Sequence, residues 1–175
     1  MAADALRRRL ATGARGEIAN ATEIAREVID HPGLLLPLID GLEDDDPTVV
    51  AHAAHAAMQV SLDRIDYFDE MADRLIAILR EGAAWELGEQ LPKILARLRL
   101  TGRQAEELTD ILAAKLDDRS NIAAASALSA LVDLAGKGLV PAERIRALHQ
   151  TALDSSRKAL SARARRLTKL VQRLA

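Results

Sequence analysis

Two histidines one helical turn apart, His52 and His55, follow a run of carboxylates at Asp44–Asp46. Imidazole and carboxylate both ligate metals, so this stretch is the first candidate for chemistry. A closed site needs a third converging ligand, and nothing in the spacing fixes one. The competing reading is a pair of exposed polar residues opposite the apolar face of a helix. His149, Asp154 and Ser155 have the residue types of a nucleophile with its base, but they are neighbours only along the chain. His149 also falls in a column otherwise filled by leucine, which predicts a partly buried, hydrogen-bonded imidazole. Gly82, Gly136 and Gly138 are isolated turn glycines and match no phosphate-cradling fingerprint. With no cysteine in the chain, thiolate nucleophiles, disulfides and cysteine-ligated metals are excluded. No catalytic, cofactor or metal residue is assigned, and the expectation is a protein that is not an enzyme.

Binding chemistry has better material. Between Arg157 and Arg173 stand Arg157, Lys158, Arg163, Arg165, Arg166, Lys169 and Arg173, with no acid among them. Such a stripe suits phosphate; it equally suits the solvated face of a last helix, with cations at the negative end of its dipole. The only aromatic residues are Trp85, Tyr67 and Phe68, a poor supply for stacking on bases. Trp85 is either an interface anchor or a lid over a neighbouring helix.

These residues must be held by helices, and the helices repeat. From Leu42 a step of 37 residues gives Leu79, Leu116 and Leu153. One turn earlier the same step gives Leu38, Leu75, Leu112 and His149; another turn earlier it gives Leu34, Met71, Leu108 and Ile145. Within each unit the three positions fall at i, i+4 and i+8, one face of a helix. Acidic or hydroxyl residues follow each column, at Glu43–Asp46, Arg80–Gly82, Asp117–Asp118 and Asp154–Ser156, placed to cap the next helix. Pro47 sits where a first turn accepts proline. The second helices have apolar faces of their own: Val50, Ala53, Ala54, Ala57 and Val60; Leu87, Leu91, Ile94, Leu95 and Leu98; Ile122, Ala125, Leu128, Leu131, Val132 and Ala135; Leu160, Ala164, Leu167, Val171 and Leu174. Ala57, Ile94 and Leu131 keep the same step, and the last helix has slipped by one residue to Leu167.

This pattern resembles the HEAT-repeat family. The first unit carries it in Leu-Leu-Pro-Leu-Ile at 35–39, Asp46-Pro47, Val49 and the pair Ala53-Ala54; Leu116–Ile122 with its Ala-rich continuation is similar to a HEAT second helix. The resemblance covers 33–136, and periodicity extends it to the end. The stride of 37 is shorter than the usual ~40–47, and Val50 stands where the family places an arginine that builds a charged ladder. The resemblance implies an all-α fold, a short right-handed α-α superhelix of about ten helices, whose second helices line a concave side. Metal-dependent hydroxylases in the family use His-Glu pairs, and this chain has no such dipeptide. HEAT-like proteins that bind DNA and excise bases use aromatic residues and an acid in the groove.

The expected organisation is one domain over 1–175. Helices at 2–11 and 16–30 cap it, the second with Ile18, Ala21, Ala25, Val28 and Ile29 inward, and repeats follow at 33–63, 66–100, 103–137 and 141–175. Pro37 and Pro92 should bend their helices. Apolar residues make up 49%, enough for a continuous core of Leu, Ile, Val and Ala, while a net charge of −2 gives no global field for nucleic acid or membrane. No apolar run reaches the ~20 residues of a membrane span. The start has arginines but no apolar h-region, so a secretory signal is not expected; its Arg and Ala content fits a transit peptide better than its Ser content does. A cytoplasmic, non-catalytic scaffold is therefore expected, taking a protein or peptide in the concave groove, with nucleic-acid binding through the basic helix as the alternative. The groove would present His52, His55 and Gln59; Trp85, Glu86, Glu89 and Lys93; Ser126, Ser129 and Asp133; and Arg165, Arg166 and Lys169. Its charge would run from neutral through mixed to basic, which favours an extended segment bound in one direction.

Overall fold

A computed structural model describes residues 2–175; residue 1, included in the expected capping unit, lies outside them. Every regular element is helical, and no strand occurs among the described residues. The ten α-helices are α1 (Ala2–Leu10), α2 (Ala19–Asp30), α3 (Leu35–Asp40), α4 (Pro47–Asp63), α5 (Ala72–Glu81), α6 (Trp85–Leu95), α7 (Gly102–Lys115), α8 (Asn121–Gly136), α9 (Ala142–Leu153) and α10 (Lys158–Gln172).

Local chemistry sets several helix starts. The Asp46 carboxylate accepts from the Thr48 amide at 2.8 Å ahead of Pro47. Ser120 Oγ accepts from the Ala123 amide at 3.2 Å, and Thr101 with Gln104 forms a capping box at the start of α7. The starts of α6 and α10, at Ala84 and Arg157, have no side-chain cap, so the expected capping residues act at only some of the turns. Pro37 does not bend a long helix. It lies in a six-residue α3 entered and left through 3₁₀ turns at Pro32–Leu34 and Gly41–Glu43. α6 continues through Pro92, which has no amide hydrogen for the Gly88 carbonyl. One residue on, the Glu89 carbonyl accepts from Ser126 Oγ of α8 at 2.6 Å.

The repeating leucines build the core. Leu42, Leu79 and Leu116 are buried and Leu153 is half-buried; Leu38, Leu75 and Leu112 are sealed, as are Ala57, Ile94 and Leu131. α2, α4, α6, α8 and α10 pack in consecutive order, and the odd-numbered helices lie against them. The closest approach is between α6 and α8: a Cβ added to Gly88 would sit 2.8 Å from the Cβ of Ala123. Gln59 Nε2 of α4 donates to Thr22 Oγ1 of α2 at 3.2 Å, one stride away, and Arg97, two residues past α6, donates from Nη2 to the Ser61 carbonyl of α4 at 2.7 Å.

The odd helices carry a charged ladder, although Val50 cannot supply it. Arg7 reaches Asp44, Arg74 reaches Asp40 and Glu43, Arg103 reaches Asp73, and Arg144 reaches Asp110, the Asp contacts all between 2.6 and 2.8 Å. Each pair is solvated on at least one side and adds little stability alone. Two expected core positions face water instead. Ile18 and Ile122 are 47% and 51% exposed; each stands at the start of its helix, Ile18 at the N-cap of α2 and Ile122 as the second residue of α8.

Candidate functional site

The expected groove residues fall into two groups. The first gathers where α4 meets α6, and residues 11–18, the loop between α1 and α2, lie over it. His52 is fully buried, which corrects the expectation of an exposed side chain. Its Nδ1 lies 2.7 Å from the Leu10 carbonyl at the end of α1 and its Nε2 3.1 Å from the Ala14 carbonyl in the loop, so either tautomer has an acceptor. Glu86 is likewise sealed, at 1% exposure. Both of its oxygens accept from Arg15, Nε and Nη2 each at 2.6 Å. The loop thus removes two of the expected partner-binding residues from the surface. Sequence reasoning missed Arg15 because no periodicity links it to a position 71 residues away.

Around this clasp the remaining polar residues are half-buried and satisfied. His55 Nδ1 lies 3.2 Å from Gln90 Nε2. Burial pulls its imidazole below the ordinary value near 6.5; Glu89 and Glu86 oppose the shift, while Lys93 and His52 add to it. Lys93 Nζ donates to Glu89 and to Gln90, both at 3.3 Å. Trp85 is 41% exposed at the first residue of α6, as an open side chain rather than a lid. Ser126 is buried through its bond to the Glu89 carbonyl, which corrects its expected place on the groove. The proposed metal ligands do not converge: among the described residues no three His, Asp or Glu side chains are arranged to hold an ion. His149, Asp154 and Ser155 are engaged separately. His149 Nε2 bonds the Ala164 carbonyl at 2.8 Å, Asp154 accepts from Gln150, and Ser155 Oγ accepts from the Arg157 amide.

The second group lies along α8 and α10. Ser129 is half-buried, its hydroxyl donating to the Ala125 carbonyl at 3.1 Å. Asp133 lies on the rim, where desolvation raises its carboxyl and Lys137 partly offsets the rise. Arg165, Arg166 and Lys169 are exposed. With Lys158, Arg163 and Arg173 they form no ion pair or side-chain hydrogen bond among the described residues. Of the seven cations in this stretch only Arg157 is engaged, bonding Asn121 Oδ1 and the Leu116 carbonyl. Residues 157–175 hold those seven cations and no acid, leaving the rest of the chain at a net −9.

Another surface depression, about 520 Å³, lies elsewhere, between α5, α7 and the turn after α7. Its rim charges Arg80 and Asp110 already pair with Glu107 and Arg144, so it offers fewer free groups than the α8–α10 face. No described helix is long and apolar enough to cross a membrane. No protein-family model matches the chain, and no curated protein matches it.

Proposed function

We propose that the chain is a short HEAT-type α-solenoid, and that it serves as a non-catalytic scaffold taking a protein or peptide segment along its even-numbered helices. The 37-residue stride and the consecutive packing of α2, α4, α6, α8 and α10 support the architecture. One contrast carries the function: Arg7, Arg74, Arg103 and Arg144 on the odd helices each reach a carboxylate, whereas among the described residues six cations at the α10 end of the even row form no ion pair or side-chain hydrogen bond. Unpaired charge on one face gives complementarity and steers encounter with an oppositely charged partner.

A cellulose-bound peptide array of random composition, probed with the full chain, tests the reading. Selective retention of a subset is expected, with a change in that subset on Arg165→Glu plus Arg166→Glu. Retention of no peptide would sink it. The same unpaired cations favour nucleic acid as the second reading. That reading predicts retention of labelled duplex DNA with steep salt dependence, falling when Arg163, Arg165 and Arg166 are neutralised.

A further inference from the structure

We infer that the crevice between α8 and α10 is a docking groove for an acidic amphipathic helix of about three turns. This rests on the scaffold reading and specifies its partner. The two helices run parallel, because their first turns share one depression and their last turns another. The first is about 300 Å³, bounded by Asn121, Ile122, Arg163 and Arg166. The second is of similar size, bounded by Asp133, Gly136, Leu170 and Arg173. Ile122 and Asp133 are eleven residues apart on α8, about 16 Å at helical rise. Ala125, Ala159 and Ala162 floor the first depression. Small residues there leave a trough rather than a ridge. The preceding pair of even helices has no such trough, since Gly88 and Ala123 bring α6 and α8 into close contact.

Each end of the crevice combines an open apolar side chain with free cations. Ile122 and Leu170 are 51% and 48% exposed; Arg163 and Arg166 flank the first depression and Arg173 lies at the second. An occupant that satisfies both needs apolar residues at helical spacing with carboxylates beside them, the helix-in-groove mode of recognition. Asp133 is the one acid lining the crevice, so the occupant's carboxylates belong at the Ile122 end. Nucleic acid fits less well. Its backbone would meet the cations but leave the apolar residues unused, and the only tryptophan is on α6, off the crevice.

The test titrates the full chain into a fluorescently labelled model helix of about 14 residues with leucine on one face and glutamate beside it. A lysine-for-glutamate version and a labelled DNA duplex are run in parallel. The Glu/Leu helix is expected to bind and the Lys/Leu helix to bind at least about tenfold more weakly. Ile122→Ser and, separately, Arg163→Ser with Arg166→Ser should each weaken the Glu/Leu helix by about tenfold. Ile122 and Arg166 are exposed and Arg163 is half-buried with no bonded partner among the described residues, so melting curves should be unchanged. Loss on the arginine changes alone would overturn the apolar anchoring, and insensitivity to both would overturn the location; either result leaves the scaffold reading standing. Binding of neither helix would overturn the groove while leaving the scaffold reading to the peptide array. Tighter binding of the duplex would overturn both in favour of nucleic acid.

Discussion

The front and back of the even row use the same residue types to opposite ends. At the front, where α4 meets α6, an arginine and a glutamate form a bidentate pair and a histidine is sealed between two carbonyls. At the back, six cations on or beside α10 form no ion pair or side-chain hydrogen bond among the described residues. The difference is the loop at residues 11–18, which covers the front; nothing comparable lies over α8 and α10. Position on a helix face therefore does not decide whether a polar side chain is available. What decides it is whether a distant segment folds over that face, and here the covering segment closes the mixed-charge end and leaves the basic end open.

The largest effect should come from the close contact that separates the two regions. A Cβ on Gly88 would lie 2.8 Å from the Cβ of Ala123, and neither atom can swing aside. Gly88→Leu would push α6 from α8 and cost about 3 kcal/mol, a fall in Tm of roughly 6–12 °C at this chain length. Gly88→Ala sets the same clash against a helix-propensity gain of up to ~1 kcal/mol. Adding Ala123→Gly should relieve that clash and recover the loss. Calorimetric melting of the three variants decides it; an unchanged Tm for Gly88→Leu would mean that the contact is not tight.

The clasp should come next. Arg15→Ala leaves the Glu86 carboxylate buried without its donor. Because Arg15 is itself 41% exposed at the side chain, water can reach the gap and the cost is reduced to about 1–2 kcal/mol. Glu86→Gln in the Arg15→Ala background removes the stranded charge and should recover part of the loss. Denaturant titration of the four proteins in that cycle measures the coupling. If it is zero, the loop is not fastened through this pair, and the contrast between a covered front and an open back loses its cause.

Which parts were legible in the sequence follows from the range of the interactions. The leucine columns reported the core because a stride of 37 residues and the i, i+4, i+8 spacing are both written along the chain, and Leu38, Leu75 and Leu112 are sealed as that spacing predicts. The cap at Asp46 was legible because donor and acceptor are two residues apart, whereas the cap of α8 falls on Ser120, just past the expected Asp117–Asp118. The burial of His52 and Glu86 was not, because their partners lie 38, 42 and 71 residues away, at the end of α1 and in a loop with no pattern. Ile18 and Ile122 misled for the converse reason: their spacing is apolar and helical, yet each stands at the start of its helix and stays open. On α10 the basic residues stood out, but that they lack carboxylate partners became visible only with the packing.

The smallest effect separates the two regions by pH. His55 belongs to the front cluster and its imidazole is held below the ordinary value near 6.5, chiefly by burial. The unfolded chain then binds a proton at this site before the folded chain does. By linkage, stability falls as pH drops below about 6.5 and the loss stops once the folded site also protonates. A half-buried group gives a loss on the order of a few tenths of a kcal/mol. His55→Gln should flatten the stability curve between neutral pH and pH ~5 while leaving the steeper acid limb alone. That limb belongs to carboxylates such as Asp44, held low by Arg7, whose contribution is present above the ordinary carboxylate value and lost as pH falls through the folded one. Urea titrations across this range for both proteins check it. Parallel curves above pH ~5 would show that His55 is as hydrated as the cations of α10, and the chemical distinction between the two ends would then rest on Arg15, Glu86 and His52 alone.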